Sequence, residues 1–169
     1  MSDSRWSVAN LQPKIENFLR PVLRAAQLSL DFQVGDGSAM DPNFEQPDVT
    51  VQFHGRDLDL LLANKGELLL ALEQLTLEAL RARPDEHTRL MFDAQDYRLL
   101  RLEELRLSAE TAAERVKRTG VPFKFNPMTS RERRIIHLAL RGDKGVRTES
   151  EGLAPRRQVV IHPAAKGSS

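Results

Sequence analysis

Thr129-Ser130-Arg131-Glu132-Arg133-Arg134-Ile135-Ile136-His137 is the stretch on which the reading of this chain turns. Thr129 with Glu132 three residues on is a capping box, in which a hydroxyl and a carboxylate each satisfy a free backbone N–H at a helix start. Gly142 supplies the stop, so a short helix is predicted to begin at Ser130. At about 100° per residue, Ser130, Arg133, Arg134, His137 and Arg141 fall within a sector of roughly 100°. Ile135, Ile136, Leu138, Ala139 and Leu140 occupy the remaining arc. The apolar arc can lie on a sheet while the other face offers cationic donors to an anion. Guanidinium forks suit a phosphate backbone better than a small neutral substrate.

Working outward, alternating residues predict strands at 146–150 and 157–162, with a shorter one at 121–125 just before the helix. In the last strand Arg156, Gln158 and His162 alternate with Arg157, Val159 and Ile161. Gln158 is therefore expected to extend the binding face, with Arg157 at its edge. Arg134, Arg141, Arg156 and Arg157 are expected to converge near Arg133 and His137. The alternative is an ordinary helix surface whose Arg133 and His137 bond to Glu149 or Glu151. Thr148 and Ser150, just before Glu151-Gly152, offer hydroxyls that assist backbone binding or simply form a turn. Phe123 and Phe125 share one side of their strand and are expected in the core.

The whole chain has a net charge of +1 and no cysteine, which excludes a disulfide framework and thiol-based metal or nucleophile chemistry. That small total hides an asymmetry. Residues 1–49 carry −3, residues 50–120 carry −2 and residues 121–169 carry +6. A basic C-terminal third points to a polyanionic partner at that end, a solvated charged surface being the plainer explanation. The leucine-rich stretch near residues 58–80 is interrupted by Asp59, Asn64, Lys65, Glu67, Glu73 and Glu78, so it reads as a buried helical region and not a membrane span. No apolar run follows the N-terminal residues, so no signal peptide is expected.

Toward the N-terminus, Leu11, Ile15, Leu19, Val22, Leu23 and Ala26 predict a helix over about 9–26, which Pro21 is expected to kink or divide. Leu28-Ser29-Leu30-Asp31-Phe32-Gln33-Val34 and Val49-Thr50-Val51-Gln52-Phe53-His54 alternate strictly and predict strands, with a polar, mobile loop over 35–48 between them. Two helices broken at Asn64-Lys65-Gly66 follow, then a strand at 88–93. A long helix beyond Tyr97 carries Leu102, Leu105, Ala109, Ala112 and Val116 at three- and four-residue steps and is closed by Gly120 and Pro122. The fold class is α+β: two modules joined by that helix, with boundaries at 1–96 and 97–163 and a disordered tail at 164–169.

This order, taken with Pro127-Met128, Glu132-Arg133-Arg134-x-x-His137, Thr148-x-Ser150-x-Gly152 and Pro155-Arg156-Arg157-x-Val159-Val160, resembles the Jag (SpoIIIJ-associated) family. Asp96-Tyr97-Arg98 and Arg115-Val116-x-x-Thr119-Gly120 fit the same pattern. The resemblance implies a type II KH domain (helix-strand-strand-helix-helix-strand) followed by a small R-3-H α/β domain with a three-stranded sheet. It implies a cytoplasmic bacterial protein that binds single-stranded RNA, with single-stranded DNA also a candidate, and that is connected with cell elongation, division or sporulation. It further implies pairing with a separate small KH protein or a homodimer. Many family members carry an additional N-terminal domain, and this chain begins almost directly at the KH-like part, so nothing tied to that domain is transferred. The chain departs from the family where a KH domain grips the nucleic-acid backbone with Gly-x-x-Gly. Here the residues are Ala63-Asn64-Lys65-Gly66. A positive φ at Ala63 would cost roughly 1–2 kcal/mol, so a weakened KH groove is expected. Asn64, Lys65 and Gly66 remain candidate contacts.

Nothing points to an enzyme, a cofactor or a metal. None of His54, His87, His137 and His162 stands in a metal-ligand spacing, and Gly142-x-x-Gly145 lacks the lysine and hydroxyl of a nucleotide loop. His137 has no evident orienting carboxylate for general-base work.

Overall fold

The structure, a computed structural model, describes residues 4–39 and 46–164. The chain divides into two compact units, one ending at Arg98 and the other starting at Leu99. Helix α1 (Val8–Ala25) opens the first, followed by β1 (Leu30–Asp36), β2 (Val49–Gly55), α2 (Leu58–Ala79) and β3 (Leu90–Asp93). Because α2 is interrupted in its first half, the arrangement is helix-strand-strand-helix-helix-strand. Strand β2 lies at the centre of the sheet, antiparallel to β1 and parallel to β3.

The α1 stripe of Leu11, Ile15, Leu19 and Leu23 is buried with Trp6, Leu61, Leu69 and Leu77. Phe32, Phe53 and Phe92, one from each strand, stack in sequence with ring centroids 5.8 and 5.3 Å apart. Pro21 does not divide α1, which runs unbroken through both Pro13 and Pro21. Both prolines are exposed, as are Ala9 and Asn17, whose carbonyls lose a partner, so water can take their place. Each interior proline costs about 3 kcal/mol, while each of the four buried leucine or isoleucine side chains returns about 1.5–3.

Strand β1 starts two residues later than the alternation suggests. Gln27 adopts φ +56° and Leu28 N–H bonds back to Leu23 C=O, so the helix cap consumes the start of the run. Strand β1 also runs into the expected loop and is followed by a 3₁₀ turn at Gly37–Ala39; residues 40–45 of that loop, and 165–169 of the expected tail, lie outside the described residues.

Two buried carboxylates tie the first unit together. Glu73 Oε2 accepts from Phe92 N–H at 2.8 Å and from Arg98 Nη2 at 2.7 Å, and Arg98 Nε donates to Phe92 C=O at 3.0 Å. Glu86 accepts from Arg83 N–H at 2.8 Å and Trp6 Nε1 at 3.1 Å, with Arg5 3.5 Å away.

The second unit contains most of α3 (Tyr97–Thr119), then β4 (Phe123–Lys124), α4 (Ser130–Ala139), β5 (Val146–Glu151) and β6 (Gln158–Pro163). Strand β6 is central and antiparallel to both neighbours. Phe123, Ile161 and Thr148 form one row across the three strands and so share a face. Ala109, Ala112, Ala113 and Val116 of α3, Ile135 and Ile136 of α4, and Val159 and Ile161 are buried. Phe123 and Phe125 are only half-buried, against expectation. Their strand is the sheet edge, where they form a T-shaped pair with centroids 5.0 Å apart, and the Arg115 guanidinium lies 5.9 Å from the Phe123 ring.

Replacing Arg98 by Ala removes the guanidinium that lies 2.7 Å from the buried Glu73 carboxylate. Chemical denaturation should show a loss of about 3 kcal/mol in the first unit. The backbone bond from Arg83, followed by the Trp6 bond, holds the Glu86 carboxyl down to about 2 from an ordinary 4.5. Its stabilising contribution is therefore complete above pH 4.5 and drains away as pH falls toward 2. Glu86→Gln should flatten the acid side of the stability–pH curve while leaving the neutral side parallel to wild type.

Candidate nucleic-acid interface

Helix α4 begins as its sequence demands. Thr129 Oγ1 accepts from Glu132 N–H at 3.2 Å, and Glu132 Oε2 accepts from Thr129 N–H at 3.0 Å. The other Glu132 oxygen does something the sequence does not announce: Oε1 accepts from Arg101 Nε of α3 at 2.8 Å. Arg101 is buried and also donates to Glu104 at 2.8 Å. One carboxylate thus caps α4 and fixes it to α3. The only sequence signal for Arg101 is a cation on the apolar arc of its helix.

One turn further, Arg133 and His137 turn toward β5. Arg133 Nη1 donates to Ser150 Oγ at 3.0 Å. The same Ser150 Oγ lies 3.0 Å from His137 Nε2, and Thr148 Oγ1 lies 2.7 Å from His137 Nδ1. A neutral imidazole donates at one nitrogen and accepts at the other, and the two hydroxyls can serve either tautomer. Thr148 and Ser150 are strand residues, not turn formers, and they hold the histidine ring. His137 is consequently clamped on both nitrogens instead of pointing freely outward.

The electrostatics of this pair are set by burial and by neighbouring cations. Burial, and then the neighbouring Arg157 charge, pull the Arg133 guanidinium below the ordinary arginine value. Its Nε–H is buried without a hydrogen-bond partner. Neither Glu149 nor Glu151 pairs with it. Both lie on the opposite face of β5, where Glu149 meets Arg147 and Glu151 meets Lys124, and His162 Nε2 sits 3.5 Å from each. Burial, and then Arg133, push the His137 imidazole below 6.5.

The other expected residues divide. Arg157 approaches Arg133 closely enough to act on it, and Arg134, Arg141, Arg156 and Ser130 are exposed. Gln158 is not brought into the cluster. It pairs with Glu151 in the ladder, one residue out of step with Ser150 and Val159, and so belongs to the back face. The expectation missed that Arg133 and His137 approach the sheet from the other side.

In the first unit, Ala63 has φ −58° and ψ 155°, so the strain foreseen there does not arise. The left-handed conformation falls instead on Asn64 (φ 52°), Lys65 (φ 60°) and Gly66 (φ 70°). Asn64 and Lys65 are exposed and Gly66 is buried. A β-carbon at 66 would lie 2.9 Å from two carbons of the Tyr97 ring, so both φ and the packing demand glycine.

Residues 103–163 match the R-3-H domain family. The chain is 34% identical over 151 residues to the RNA-binding protein KhpB of Clostridium symbiosum, covering 89% of this chain and 65% of the relative. It is 36% identical over 125 residues to the RNA-binding protein KhpB of Bacillus subtilis, covering 72% and 60%. A third relative, the RNA-binding protein KhpB of Lactiplantibacillus plantarum, is 32% identical over 129 residues, covering 76% and 40%. The chain thus spans less than two thirds of the length of each of these relatives. Ordered agreement along nearly the whole chain, together with the capped helix and its sheet, carries the assignment: this chain belongs to the Jag/KhpB family and bears an R-3-H domain in its C-terminal half.

Proposed function

We propose that the chain binds single-stranded nucleic acid, RNA foremost, through the backbone phosphates. One observation carries this reading: the half-buried Arg133 guanidinium stands beside Arg157 with no carboxylate partner among the described residues and an orphaned Nε–H. A phosphate supplies the missing charge and the missing acceptor together. Ser150 and His137 set the direction of the Arg133 fork, while Arg134, Arg141, Arg156 and Ser130 furnish the surrounding field. Three relatives named RNA-binding protein support the same chemistry. Asn64, Lys65 and Gly66 add a second contact in the first unit, and the family resemblance extends the role to RNA linked with cell elongation or division in the bacterial cytoplasm. Among the described residues no helix is long and apolar enough to cross a membrane. Pairing of the first unit with a separate KH protein is the second reading, favoured by the exposed Leu60 and Leu75 of α2. The site offers no substrate-activating group, and binding without catalysis is the function assigned.

Arg133→Ala should weaken an unstructured oligoribonucleotide of any sequence by a similar factor. It should also lower the slope of log K against log salt by about 0.7, one single-strand phosphate contact. Fluorescence anisotropy across a salt series measures both quantities, and unchanged affinity and slope would exclude Arg133 as the phosphate contact.

A phosphate near His137 raises the depressed imidazole pKa, so binding takes up a proton wherever pH lies between the free and bound values. Affinity should tighten as pH falls through that interval and level off once pH lies below the lowered value of the free imidazole. His137→Gln should abolish that dependence, and a dependence that survives the substitution places the titrating group elsewhere.

A further inference from the structure

On the face of the second sheet turned away from His137, three side chains converge on one point. Lys124, Val160 and Glu149 form a row across β4, β6 and β5, so Glu151 and His162, each two residues further along its strand, share that face. In the ladder Glu151 lies opposite Gln158, which puts it about 13 Å along the strands from His162. Their tips meet all the same. His162 Nε2 is 3.5 Å from Glu151 Oε1 and 3.5 Å from Glu149 Oε2. The side chains of Glu151 and His162 lean toward each other over Val160, which is fully buried.

These contacts are not hydrogen bonds: Nε2 is buried and has no hydrogen-bond partner among the described residues. Each carboxylate is held meanwhile by its other oxygen. Arg147 Nη1 meets Glu149 Oε1, and Lys124 Nζ lies 3.8 Å from Glu151 Oε2. With its proton on Nδ1, the imidazole aims an unused lone pair at two carboxylate oxygens. Three electron-rich atoms directed at one another call for a cation between them.

The donor set and its spacing fit zinc. Zinc binds imidazole nitrogen and carboxylate oxygen at about 2.0–2.2 Å, which sets neighbouring donors of a tetrahedron about 3.4 Å apart. Two of the three separations already stand at 3.5 Å, and one donor atom from each residue lies within 4.8 Å of the other two. Rotation of an exposed glutamate tip closes the third. Calcium and magnesium favour all-oxygen sites, so the imidazole selects against them.

We propose that Glu149, Glu151 and His162 form a zinc site with three protein ligands and solvent in the fourth position. Arg147 and Lys124 orient the two carboxylates, and fixing the unused oxygen in this way is how a metal-ligating carboxylate is commonly held. The same two cations moderate the affinity, because the carboxylates neutralise the ion and leave Arg147 and Lys124 in excess. The ion fastens β5 to β6 behind the strand that presents Thr148 and Ser150 to His137. Sequence spacing conceals the site, since its histidine arrives from the neighbouring strand. The inference stands independently of phosphate binding by Arg133.

Calorimetric titration of the untagged full chain with zinc chloride near neutral pH tests it. One ion should bind with a Kd below about 100 µM, and saturating zinc should raise the melting temperature. His162→Ala and Glu151→Gln should each weaken binding about tenfold or more, whereas His54→Ala and His87→Ala should leave it unchanged. Circular dichroism of the metal-free variants confirms that each keeps its fold. Binding weaker than about 100 µM, or binding indifferent to His162→Ala or Glu151→Gln, would reduce the three side chains to an ion pair and overturn the proposal.

Discussion

Glu132 is the residue on which the second unit depends. One of its oxygens closes the capping box at Thr129 and the other receives Arg101, so the helix start and its position on α3 are set by the same carboxylate. Arg133 follows immediately, and the azimuth fixed by Glu132 sends it to Ser150. A carboxylate at this point also completes the hydrogen bonding of a buried guanidinium, which would otherwise be costly to desolvate. Local capping and tertiary docking are thus one interaction.

From that constraint follows the uncompensated charge. Strand β5 carries hydroxyls on the face toward α4 and carboxylates on the face away from it, an alternation imposed by the pleat. Glu149 and Glu151 are therefore spent on Arg147, Lys124 and His162, and Arg133 is left with a serine hydroxyl. A strand slipped by one residue would put a glutamate beside Arg133 and neutralise the site. The uncompensated positive charge of the helix thus rests on register as much as on the number of arginines.

The first unit handles its loop differently. Three consecutive residues adopt left-handed backbone at the break in α2, and only one of them is glycine. Asn64 tolerates that conformation through its short polar side chain, whereas Lys65 bears a steric cost of roughly 1–2 kcal/mol. Leu61 and Leu69, which flank the loop in sequence, are buried in the core, and Gly66 lets the Tyr97 ring approach. Ala63 sits in ordinary extended backbone, so the missing first glycine of the family motif brings no strain.

Composition and periodicity were enough to determine the α+β class, the strand alternation, the capped helix and its cationic face, because each depends on neighbours within a few residues. The chain's own order of motifs likewise carried the family. What local pattern could not decide was which face of β5 meets α4, and this placed Ser150 and Thr148 in the site and Gln158 behind it. Nor could it show that Arg101 reaches Glu132 across 31 positions of sequence, that α1 tolerates two prolines, or that Ala63 escapes a positive φ. Those outcomes are set by packing between elements far apart in the chain, where burial and register outweigh the preference of any single residue.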